Sequence, residues 1–171
     1  MRALVKAVDT LSRWTGSSIR WLAMLLVAQI SFEVIMRFVF DKPTIWGYET
    51  SMMIGGAMYV LAFSYATLKG SHVRIDVFYR SMKPRTQALV DVIGALICFF
   101  PLMIMLTVFS TTAAMKAWRI HETSIESTWF PPLAPFRTVV VVGFVLVTLQ
   151  GLAQFVRDIY MLTRNKAYDR D

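Results

Sequence analysis

The chain has 171 residues, 18 Lys and Arg against 11 Asp and Glu, a net charge of +7 and a mean hydropathy of +0.53. Hydrophobic residues make up 56% and charged ones 17%, whereas an average soluble domain is roughly 45–50% apolar with glycine included and about 25% charged; a soluble globule of this size lacks the polarity to cover its surface. One cysteine, Cys98, excludes an internal disulfide, a Cys-x-x-Cys pair and a four-cysteine zinc site, and two histidines leave little for a metal or haem. The composition is that of an all-α integral membrane protein in a single domain, and it disfavours most enzyme classes.

In chain order, residues 1–18 are predicted as an amphipathic helix lying on the membrane. Leu4, Val8, Leu11 and Trp14 follow helical spacing, with Lys6, Asp9 and Arg13 elsewhere on its surface. A surface anchor, a partner-docking helix and a tail resting among headgroups all fit that pattern. The first span is predicted at 19–40. It is apolar to Phe32 and then carries Glu33 and Arg37, four apart, opposite in charge and on one helix face. The apolar run leads into those charges rather than a small-x-small site, so it does not read as a cleaved signal peptide.

Pro43 stops that helix. Trp46 and Tyr48 suit the interface where the second span, 47–69, begins. Gly55 and Gly56 inside it either admit another helix closely or are simply tolerated in lipid. The connection 70–85 is basic, and its Ile75, Val77, Phe78 and Met82 suit an interfacial position. The third span, 86–118, has Pro101 as a point for a kink. The loop 119–133 leads to the fourth span, 134–162; Pro131, Pro132 and Pro135 stiffen this entry, and Trp129 and Phe130 make it adhesive. The uncharged runs 50–68, 92–115 and 138–156 each approach the ~20 residues that a ~30 Å hydrocarbon core requires.

Thirteen Lys and Arg fall before the first span, in the connection 69–85 and after Gln154, against five around the two opposite turns. With four spans, both termini are therefore predicted to be cytoplasmic. Orientation and anionic lipid headgroups account for the basic excess, and nucleic acid need not be invoked.

No cofactor or metal is implied. His72 falls on the predicted inner side and His121 on the outer, so they cannot share one haem axially. The last three spans carry no charge at their centres, where a solute path would need ionisable groups or broken helices. Glu33, ~18 Å along the helix from Trp21, is left with three readings: a titratable carboxylate, half of a polar patch bonding to another helix of this chain or a partner, or the partner of a snorkelling Arg37. From the residues alone the chain is a small accessory membrane subunit.

Three segments then carry a family likeness. Arg37-Phe38-Val39-Phe40 is followed by Pro43, Trp46 and Glu49. Gly70-Ser71-His72-Val73-Arg74-Ile75-Asp76-Val77 follows the second span. Glu122 and Ser124 precede the stretch Trp129 to Pro135. Together they resemble the small membrane subunit of tripartite ATP-independent periplasmic (TRAP) transporters, the DctQ-like family, over roughly residues 15–163.

The resemblance implies four spans, a large DctM-like permease subunit that holds the substrate and sodium sites, and a periplasmic DctP-like protein that captures an organic anion and docks outside. It implies that this chain braces the large subunit in a bacterial inner membrane. Glu33, Arg37, Trp46, Glu49, Gly55, Gly56, Gly70, His72, Arg74 and Asp76 become partner-interface or structural residues, the last three forming a hydrogen-bonded knot. Lys42, Arg119, Glu122, Glu126 and Trp129 become candidate contacts for the periplasmic protein. The polar tail, Asn165 to Asp171, implies non-covalent association with the large subunit.

Two other readings compete: a stand-alone four-helix exporter using Glu33, and a membrane anchor for a redox enzyme. If Arg74 belongs to the knot, Arg74→Ala is expected to reduce the yield of complex in a pull-down more than Lys83→Ala; equal losses would mean that both merely touch lipid.

Overall fold

The computed structural model describes residues 2–69 and 84–164. Gly70, His72, Arg74 and Asp76, and the knot expected of the last three, lie outside the described residues. The elements are α1 (Arg2–Phe38), α2 (Gly47–Lys69), α3 (Pro84–Gly94), a π-helical turn (Ala95–Phe99), α4 (Phe100–Arg119) and α5 (Ala134–Arg164). Among the described residues the one β-type pairing is an isolated bridge between Thr123 and Pro132. Four stretches are long and apolar enough to cross a membrane: Ala7–Phe38, Gly47–Lys69, Arg85–Arg119 and Ala134–Thr163. The fold is thus all-α with four membrane-length helices, as the three charge-free runs and the charged first span predict.

α1 departs from expectation. No proline interrupts it before Pro43, and its 37 residues form one helix of about 55 Å. The separate surface helix over 1–18 is corrected to the first turns of this continuous rod. The physical reason is that Asp9, placed on the surface of that helix, and Ser12 hydrogen-bond to α5 and α2 and hold the N-terminal turns against the bundle. The helix ends at Phe38, and the backbone then reverses through Asp41 in the left-handed region (φ 50°), where Asp is among the few non-glycine residues tolerated. The Lys42 N–H closes back onto the Met36 carbonyl at 2.9 Å.

The irregularity in the third span is a π-helical turn rather than a simple proline kink. Pro101 has no N–H to give the Ile97 carbonyl. The chain adapts one turn earlier, with the Phe100 N–H bonding to Ala95 O, five residues back. Phe100 packs edge-on against Phe155 of α5, ring centroids 5.2 Å apart, which fixes the wide turn to the bundle.

α5 is the central helix. It contacts α1, α2, α3 and α4, and 33% of its apolar window is buried against none of α1's. The core is made largely of small side chains: Ala114, Ala117, Ala134 and Ala153 are buried, with Val147 and Leu146 between them. Membrane helices associate through such residues because lipid offers no hydrophobic drive between helices, only close packing. Gly56 of α2 meets Phe136 of α5, where an added Cβ would stand 2.9 Å from the ring, while Gly55 meets Leu26 of α1 at an ordinary 3.9 Å. Both glycines therefore face helices of this chain. A tighter α2–α5 approach than at Gly56 lies at Gly143, where a Cβ would overlap the Val60 Cγ1 and lie 3.3 Å from the Val60 backbone carbonyl carbon.

Because Val60 is β-branched and stiff, Gly143→Ala is expected to force α2 and α5 apart and to cost about 1–3 kcal/mol. Thermal unfolding of the detergent-solubilised chain, followed by circular dichroism, measures this; an unchanged midpoint would show that the contact is slack.

Candidate functional site

The polar side chains collect at the two ends of the bundle. At the end that carries the turns 39–46 and 120–133, Glu33 is the hub. Its Oε1 accepts a hydrogen bond from Arg37 Nη2 at 3.1 Å, and its Oε2 accepts from the Thr44 hydroxyl and, at 3.4 Å, from the Thr44 N–H. Gln29, one helical turn before Glu33, donates to the Gly47 carbonyl at 3.2 Å. A side chain at Gly47 would collide with Glu33 and with the Thr44 hydroxyl, so the start of α2 lies directly on the carboxylate. Trp46 stacks on Phe32 of α1, ring centroids 5.9 Å apart. Glu33 and Arg37 therefore pair with each other, and the same carboxylate pins the α1–α2 turn.

Glu49 sits in the first turn of α2 and is only 3% exposed, with neither carboxylate oxygen hydrogen-bonded. It faces the interior of its own chain. The adjacent helix N-terminus is the favourable place for a negative charge.

The loop 120–133 is more ordered than its length predicts. Ser124 N–H bonds to Pro131 O and Leu133 N–H to Glu122 O, both at 2.9 Å. His121 and Phe130 take left-handed backbone conformations (φ 48° and 49°) at its two bends. Arg137 of α5 clamps it, donating to Glu122 at 2.7 Å and to the Ala113 carbonyl of α4 at 3.2 Å. Of the residues expected to face a docking protein, Glu122 is thus committed to the internal ion pair. Lys42, Arg119, Glu126 and Trp129 are exposed at this end.

The opposite end, where the N-terminal turns of α1 meet the C-terminal turns of α5, holds a network that the sequence reading missed. Ser12 and Gln150 are fully enclosed (1% and 0% exposed), as is Ser64 of α2. The Ser12 hydroxyl donates to Gln150 Oε1 at 2.8 Å and lies 2.9 Å from the Ser64 hydroxyl. Gln150 Nε2 donates to Asp9 Oδ1 at 3.0 Å, and Arg157 Nη2 donates to Asp9 Oδ2. Arg157 and Asp9 expose only 7% and 15% of their side chains. Three helices are tied by one continuous set of bonds.

Asp9, placed on the surface of the N-terminal helix, and Arg157, counted among the cations after Gln154, are corrected to partners largely enclosed by the bundle. The available signal was Gln150, a large amide inside the uncharged run 138–156, together with Ser12 and Ser64 at helix positions otherwise apolar. A cleft of about 730 Å³ lies beside this network, lined by Arg13, Arg20, Tyr65, Lys69, Asp9 and Arg157 among others. No group of three or more His, Cys, Asp or Glu suited to a metal occurs among the described residues.

The two polar clusters do not join along α1. Between Arg20 and Gln29 that helix reads Trp21 to Ala28, without a single polar side chain apart from the indole. Such a chain, with membrane-length helices, polar groups drawn inward at both ends and large apolar side chains outward, is an all-helical multi-pass membrane protein. The model of the DctQ component of tripartite ATP-independent periplasmic transporters matches residues 26–160. The chain belongs to that family, which is a transporter component and not an enzyme family. Among curated proteins, sequence comparison finds no match to the chain.

Breaking one member of a buried ion pair leaves the other uncompensated, at a cost of about 3–5 kcal/mol, whereas removing both costs less. Asp9→Ala and Arg157→Ala are therefore each expected to destabilise the folded chain strongly, and the double variant by less than the sum. Thermal denaturation of the three variants tests the coupling; additive losses would show that the two groups act independently.

Proposed function

We propose that the chain is the small membrane subunit of a sodium-driven secondary transporter for organic anions such as carboxylates or acidic sugars. In this reading it sits in a bacterial inner membrane with both termini in the cytoplasm. It braces a large DctM-like permease subunit and contributes to the surface on which a periplasmic DctP-like protein docks. Membership of the DctQ family over residues 26–160 is the observation that carries the proposal.

The structure supports a bracing role in physical terms. The ionisable groups of the outer half of α1 are used internally, Glu33 by Arg37 and Thr44. A carboxylate already held by a guanidinium and a hydroxyl is a poor trap for a cationic solute, which counts against the exporter reading. Large apolar side chains cover the outward faces of α1 (Leu25, Val27, Val34) and α4 (Ile104, Met105, Phe109). Faces of that kind suit lipid or another membrane protein equally, and the large subunit takes one of them in this account. Lys42, Arg119, Glu126 and Trp129 remain free at the turn end for the periplasmic protein. Trp46, Glu49, Gly55 and Gly56 serve by shaping the bundle, because their contacts lie within it.

An affinity-tagged chain is expected to co-purify with a large hydrophobic permease, and transport is expected only when both are reconstituted. Glu33→Gln should lower the yield of complex while the complex that does form still transports. A chain that moves solute in liposomes alone, and stops when Glu33 is changed, would refute the proposal in favour of a stand-alone exporter.

A further inference from the structure

We propose that the cleft between α1 and α2 at the terminal end of the bundle is a binding site for the phosphate of an anionic phospholipid headgroup. The inference does not depend on the bracing role, and the α1 residues it uses precede the matched family segment. Four cations line the cleft, Arg13, Arg20, Lys69 and Arg157, against one carboxylate, Asp9. That carboxylate is already used on both oxygens, by Gln150 and Arg157. The other three cations are exposed to the cleft mouth and have no described carboxylate as a partner. Two of them are nevertheless held in place: Arg20 donates to the Ser17 hydroxyl at 3.3 Å, and the Lys69 ammonium lies 5.7 Å from the centre of the Tyr65 ring. A concave site with a surplus of positioned guanidinium and ammonium groups recognises a phosphate anion. Its volume of about 730 Å³ lies within the range of ~300–1,000 Å³ usual for small-ligand sites.

Depth selects the source of the phosphate. From the level where Glu33 of α1 meets Gly47 of α2, Arg13 lies about 30 Å along α1, Lys69 about 33 Å along α2 and Arg20 about 20 Å along α1. Arg13 and Lys69 therefore fall where a ~30 Å hydrocarbon core gives way to headgroups, and Arg20 reaches toward them from two turns deeper. Basic pockets between helices at this level suit anionic headgroups, and a lipid entering from the bilayer reaches the cleft without leaving its leaflet.

The test is native mass spectrometry of the full chain, with any subunits that accompany it, released from maltoside micelles. Phosphatidylglycerol and phosphatidylcholine of the same acyl composition are titrated separately. The wild type is expected to keep one phosphatidylglycerol under activation that strips phosphatidylcholine, with a preference of about tenfold or more. The triple variant R13Q/R20Q/K69Q is expected to lose that preference, and K116Q/R119Q at the other end to keep it. Circular dichroism melting verifies that the variants fold. Should the triple variant be unstable, R13Q and R20Q singly are each expected to lose part of the preference. Equal lipid retention by wild type and cleft variants would overturn the proposal. So would displacement of the lipid by millimolar inorganic phosphate that binds in its place, since the site would then read a soluble anion.

Discussion

The structure depends on the buried bonds that join Asp9, Ser12, Ser64, Gln150 and Arg157. In water, apolar faces find each other because burial removes them from solvent. In a bilayer the lipid tails are as apolar as leucine, and that drive disappears. Directional contacts and close packing must then decide which helix faces meet. Each interhelical hydrogen bond is modest, about 0.6 kcal/mol on average in a membrane. Their value here is geometric. The Ser12 hydroxyl is within hydrogen-bond reach of both Ser64 and Gln150, and Gln150 reaches Asp9 only if α5 is turned to face α1. One rotation of each helix satisfies the whole set.

A second set of constraints works at the far end, with a different logic. Glu33 and Arg137 each reach from a helix to a connecting segment and hold it. Glu33 fixes the Thr44 turn, and Arg137 fixes the loop at Glu122 while also gripping Ala113 of α4. The first cluster orients helices against one another; the second shapes the surface that the turns present. Residues 42, 119, 126 and 129 are thereby exposed on a scaffold whose backbone is defined.

Much of this architecture was legible in the sequence. Uncharged runs near membrane length mark the last three spans, and the Glu33–Arg37 pair follows from four-residue spacing on a helix. Gly55 and Gly56 mark a region of close packing, although the neighbours turn out to be Leu26 and Phe136 of the same chain. What stayed hidden is long-range. Asp9 and Arg157 are separated by 148 positions, and no local pattern pairs them. A hydropathy profile also treats Gln150 as one tolerable polar residue among many apolar ones, although it is the centre of the network. The amphipathic look of the first 18 residues misled for a related reason: Asp9 and Ser12 in that stretch bond to α5 and α2, and periodicity cannot distinguish a polar side chain turned to water from one turned to partners.

The wide turn at Ala95–Phe99 has a consequence for the phase of the third span. An i→i−5 bond accommodates one residue more than an α-helical turn, which amounts to about 100° of rotation at 3.6 residues per turn. The side chains of α3 and those of α4 therefore lie on two stripes offset around the axis, instead of one continuous stripe. Two neighbours placed at different depths can each be met by an apolar face from a helix that reads as a single uninterrupted greasy segment.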